Sequence, residues 1–170
     1  MDRIILKYFY SPGFYGEFIS KDLLISRTFE IQLKFFWYFD LGYFPDNDEE
    51  RRQQRRFTTI KDKLPEDLQR ILEKVLQSDI KSILPVRIGT DKVEYATSVH
   101  PPTEYYKLEI QNQEKHFDIP YRFSDILIEG KDVELFFDFH VKLKSWIDKE
   151  FEIASEGKAV KLNKENNGSP

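Results

Sequence analysis

The chain contains no cysteine. Disulfides, thiol nucleophiles and zinc–thiolate sites are therefore excluded, and the composition fits a reducing compartment. Histidine is scarce, with three residues at 100, 116 and 140. No Gly-x-Ser-x-Gly elbow occurs, and Gly130-Lys131-Asp132 lacks the upstream glycine and the hydroxyl of a phosphate-binding loop. The longest apolar run is broken by Lys34, Asp40 and Gly42, too soon to span a bilayer. The segment Met1 to Lys7 lacks the apolar core of a signal peptide, so a cytoplasmic location is expected. Neither sign of charge dominates: 26 bases face 30 acids, for a net charge of −4. That balance predicts no global attraction to nucleic acid or to an anionic membrane. Neither a cofactor nor a metal is expected.

What the chain does have is aromatic side chains, crowded toward its amino end. Fourteen of them lie in the first 44 residues, five in succession from Phe35 to Phe39. In a strand, Phe35, Trp37 and Phe39 would point one way and Phe36 and Tyr38 the other. Either both faces are covered or some of these rings meet a partner. Both readings stay open: phenylalanine and tyrosine are ordinary core residues, and tyrosine-rich apolar patches are also typical of interfaces.

The length of 170 residues suits one domain. Ile4 to Tyr10 reads as a strand, followed by a turn at Ser11-Pro12-Gly13. Phe14 to Phe18 could begin the return strand, and Leu23 to Ser26 is a further short apolar run. Thr28 to Phe36 alternates, with Phe29, Ile31, Leu33 and Phe35 on one face. Residues 46–57 form a charged insertion, acids first and arginines last, expected as a short helix or loop starting near Asp46 or Asn47. Helical spacing is clearest from Pro65 to Leu84 and from Asp132 to Phe151. Between them, a strand is expected at Lys92 to Val99 and a hairpin at Tyr105 to Ile119 with a four-residue turn. Phe123 to Ile128 reads as a helical turn. Residues 1–152 thus predict one α+β domain, an antiparallel sheet with two main helices on one face. Residues 153–170 predict a flexible tail.

This order resembles that of emfourin-type proteins, small protein inhibitors of thermolysin-like metallopeptidases. The resemblance rests on Ser11-Pro12-Gly13-Phe14-x-Gly16 after the first strand and on the middle helix. It continues through Asp91 and Tyr95, then His116-Phe117-Asp118, and ends with the last helix. Pro12 stands where that family has glycine, and Phe35 to Ile60 is an insertion. The resemblance implies a sheet with two helices and a role in partner contact for the Ser11 to Gly16 loop.

The leading expectation is a non-catalytic protein-binding module, of inhibitor or immunity type, that acts by surface occlusion. Its contact residues are expected to be Phe14, Tyr15, Phe36, Trp37, Tyr38 and Tyr43. The alternative is an accessory protein that grips nucleic acid through Arg51, Arg52, Arg55 and Arg56, with Lys61, Lys63 and Phe57 nearby. An enzyme using His116 and Asp118, or a carboxylate pair, ranks lower. No partner is specified by the residues, and pairing of two copies is left open.

Overall fold

The computed structural model describes residues 2–12, 19–38, 47–80, 103–119 and 130–156. Nine elements follow in chain order: β1 (Ile4–Ser11), β2 (Ile19–Ser26), β3 (Glu30–Tyr38), α1 (Asp48–Gln54), β4 (Arg55–Lys63), α2 (Glu66–Gln77), β5 (Thr103–Ile110), β6 (Gln113–Asp118) and α3 (Lys131–Ser155). The strands form one antiparallel sheet in the order β4-β3-β2-β1-β5-β6. The architecture is therefore α+β, as the element order predicts.

Alternation decides what the sheet buries. Ile31, Leu33, Phe35 and Trp37 of β3 point inward with Leu6 and Tyr8 of β1, Leu23 and Ile25 of β2, and Tyr106 and Leu108 of β5. Helix α3 lies on this inner face. Its Phe136 meets Tyr106 and Phe117, with centroids 5.2 and 5.4 Å away, and its Phe151 meets Phe35 and Trp37 at 5.2 and 5.6 Å. The helix thus crosses the sheet from β6 toward β3. Helix α2 buries Leu68, Leu72 and Val75. It is tied to the hairpin of β5 and β6 by the Gln111 N–H, which donates to the Leu76 carbonyl at 3.0 Å. The Asp79 N–H donates to Asp132 Oδ2 at 2.9 Å, joining the end of α2 to the start of α3.

Several boundaries differ from expectation. Helix α2 stops at Gln77, not Leu84, because Ser78 turns extended and its hydroxyl donates to the Val75 carbonyl at 2.7 Å. Helix α3 runs to Ser155, into the expected tail, because Ala154 and Ser155 still find cover. Glu156, with φ of 52°, closes it. The β5–β6 turn takes two residues, Gln111 and Asn112, both with positive φ (49° and 62°). That geometry matches the right-handed twist of the strands it joins.

The charged insertion is part helix and part strand. Asn47 caps α1 by accepting the Glu50 N–H at 2.8 Å. From Arg55 the chain pairs along the whole of β3; Phe57-Thr58-Thr59-Ile60 is β-branched and aromatic enough to hold a strand once a template is beside it. The expected strands at 14–18 and 92–99, the turn at 123–128 and residues 157–170 lie outside the described residues. No described helix is long and apolar enough to cross a membrane.

Candidate functional site

No described element covers the outer face of the sheet. On β3 that face carries Gln32, Lys34, Phe36 and Tyr38; on β4 it carries Arg55, Phe57, Thr59 and Lys61. Phe36 and Phe57 are register partners, and their exposures of 36% and 82% decide their role. The Phe57 ring, left that open, contributes little to folding, while its burial elsewhere would release about 1.5–3 kcal/mol. The Arg55 guanidinium lies over the Phe36 ring, 5.8 Å from its centroid, and Tyr38 meets the same ring edge-on at 5.8 Å. Lys34, opposite Thr59, is the next outward residue along β3, and Lys61, opposite Gln32, lies two outward positions from Phe57 along β4. The result is an aromatic pair rimmed by basic side chains.

A second outer pair, Phe9 and Tyr105, sits across β1 and β5 with centroids 5.2 Å apart. The sequence reading missed it. The signal was the alternation itself: with Tyr8 and Tyr106 inside, Phe9 and Tyr105 must face out.

Trp37, expected at the partner surface, belongs to the core. It is 6% exposed and packs edge-on against Phe151. The same alternation that exposes Phe36 sends Trp37 inward. Tyr38 is half-buried. Phe14, Tyr15 and Tyr43 lie outside the described residues. Of the arginines, Arg51 lies in α1, Arg52 is exposed there, and Arg55 and Arg56 open β4 on opposite faces. Arg56 stands opposite inward Trp37 and donates to the Gln53 carbonyl at 2.6 Å. Among the described side chains, Arg55 is the arginine that joins the aromatic pair. His116 and Asp118 share the outer face, but His116 pairs with Glu114 at 3.0 Å. Among the described residues, no group of three acids or histidines is placed to hold a metal.

The inner face holds a polar cluster around Glu104. The Tyr8 hydroxyl donates to Glu104 Oε1 at 2.9 Å, and Lys144 reaches Glu104 Oε2 at 3.3 Å. The Tyr106 hydroxyl lies 2.8 Å from His140 Nδ1. Burial, with Glu104 nearby, pushes both tyrosines well above their ordinary value. We therefore assign the Tyr106 hydroxyl as donor and Nδ1 as acceptor. Burial lowers the His140 imidazole to about 4; Glu104 pulls it back up, and Lys144 adds to the lowering. His140 is 2% exposed and sits on α3, so the cluster reads as a strut between α3 and strands β1 and β5.

That lowering has a stability consequence. Between about pH 4 and 6.5 the unfolded chain binds a proton at residue 140 that the folded chain refuses. Stability from this group is complete above pH 6.5 and is lost as pH falls toward 4, on the order of 3 kcal/mol in all. Urea melts at pH 7.0 and 4.5 check it. The wild type is expected to lose more stability over this range than H140Q; equal losses would refute the assignment.

The chain matches no protein-family model, no curated protein and no solved structure.

Proposed function

We propose that the protein is a non-catalytic protein-binding module, of inhibitor or immunity type, that occludes its partner with the outer face of β3 and β4. The observation that carries this reading is Phe57, 82% exposed beside Phe36 and under the basic rim. Aromatic side chains and arginine are the anchors that interfaces use most. Phe57 and Phe36 would enter an apolar pocket, while Arg55, Lys34 and Lys61 face carboxylates around its edge. Such a partner is acidic at its rim and apolar at its centre. The inner polar cluster, which ties α3 to β1 and β5, takes no part in contact.

The test uses the immobilised chain to capture its partner from the native host, with mass spectrometry for identity and titration of the purified partner for affinity. F57A is expected to weaken binding by about thirtyfold or more, the loss of roughly 2 kcal/mol at an anchor. Its melting temperature should stay near that of the wild type. Unchanged affinity in both F57A and F36A would refute the reading.

The basic rim also favours a second reading, a single nucleic-acid strand lying across β3 and β4. Phe36 and Phe57 would stack bases while Arg55, Lys34, Lys61 and Lys63 meet phosphates. Anisotropy with an oligothymidylate separates the two: four phosphate contacts predict a log–log salt slope of about −3. Absence of binding at low salt removes this reading.

A further inference from the structure

The strand that carries Phe57 also ends the sheet, and its main chain points to a definite partner. Among the described residues β4 pairs only with β3, and no described side chain from Arg55 to Lys63 is fully buried. One bond at the end of the ladder fixes its phase. The Leu64 N–H donates to the Phe29 carbonyl at 2.9 Å. Because hydrogen-bonded and non-bonded positions alternate along an antiparallel pair, Arg56, Thr58, Ile60 and Asp62 turn their main-chain groups toward β3. Phe57, Thr59 and Lys61 turn theirs toward the free edge; at the ends, the Arg55 N–H donates to the Arg52 carbonyl, the Arg55 carbonyl accepts from the Arg56 guanidinium at 2.8 Å, and the Lys63 N–H donates to Asp62 Oδ1 at 2.7 Å.

A second copy of the chain fits this edge. A sheet continued across a two-fold axis keeps outer face with outer face, so odd residues must stand opposite odd residues. Centring the axis on Thr59 satisfies this for all nine positions. Phe57 then faces Lys61 of the other copy, where an ammonium can lie over the ring. Arg56 faces Asp62, an opposite-charge pair on the inner side, made twice by symmetry. Thr58 faces Ile60. Like charges meet only at the two ends, Arg55 against Lys63, where strands fray. Charged residues on an edge commonly guard against pairing; here their placement discourages other registers and permits this one.

We infer that two copies of the chain associate by antiparallel pairing of β4 about Thr59, forming one continuous twelve-stranded sheet. The inference stands apart from the docking surface, since it concerns main-chain groups at the edge. It also sets two copies of the aromatic pair on one outer face, so a partner would meet them together.

The test is light scattering and sedimentation of the full chain over a dilution series. The wild type is expected to move from twice 20.4 kDa toward the single mass as concentration falls through the micromolar range. T59P removes a donor that faces the free edge while leaving the ladder to β3 intact. It should fold, with an unchanged circular dichroism spectrum, and weaken association at least tenfold. D62K sets two positive charges opposite each other and should weaken association likewise, while the exchange R56D/D62R should restore it. A single mass at every concentration overturns the inference and leaves the edge to a strand of another protein. So does a dimer indifferent to D62K, which decides the matter even where T59P fails to fold.

Discussion

Phe136→Ala is expected to remove about 3–5 kcal/mol of stability, read as a lower urea midpoint at unchanged slope. Its ring is fully buried and touches Tyr106 of β5, Phe117 of β6 and Phe137 of its own helix. Truncation forfeits the transfer of that ring from water. It also leaves a void whose walls come from a helix and two strands, none of which can close in alone. In a chain of this size such a loss lowers the melting temperature by roughly 10 °C. The exposed Phe57 supplies the control, since the same change there should stay within about 0.5 kcal/mol. A loss below 1 kcal/mol at Phe136 would mean that α3 does not seat on β5 and β6 as described.

Asp148→Ala is expected to cost about 2–3 kcal/mol, whereas Lys21→Met should be close to neutral. Lys21 is an inward residue of β2 whose side chain is 6% exposed, and its ammonium meets Asp148 of α3 at 2.5 Å. The Tyr10 ring lies 5.3 Å from the same ammonium. Removing the carboxylate strands a cation under the helix. Removing the cation instead leaves Asp148, half in water, at little penalty, and methionine refills the volume. Chemical denaturation of the two variants reads the asymmetry. Equal losses from both would show that the pair contributes net attraction, against the cost of burying it.

The inner face was legible because its pattern is strict. Ile31, Leu33, Phe35 and Trp37 alternate in β3, and Leu68, Leu72 and Val75 recur at helical spacing in α2. Trp37 was misplaced for a reason of emphasis: five consecutive rings suggested a surface, whereas the two-residue period sends Phe35 and Trp37 to the inner face and Phe36 and Tyr38 to the outer one. Strand β4 was hidden because its five charges in nine residues resemble a solvated helix. Only the neighbouring β3 ladder makes a strand of it, and no local window contains that information. The polar cluster was equally hidden. Tyr8, Glu104 and His140 come from three elements and meet only once β1, β5 and α3 are stacked. Phe57, by contrast, could be named from the sequence as a ring among arginines, though not as the partner of Phe36.

Because α2 and α3 pack on the inner face of the sheet, the core and the outer surface draw on different atoms of the same strands. Odd positions of β3 hold the molecule together; even positions are free to vary. A change at Phe36, Lys34 or Phe57 therefore alters the outer surface without disturbing Leu33 or Phe35 behind it. The outer surface can therefore change residue by residue while the cooperativity of folding is set by the layer beneath.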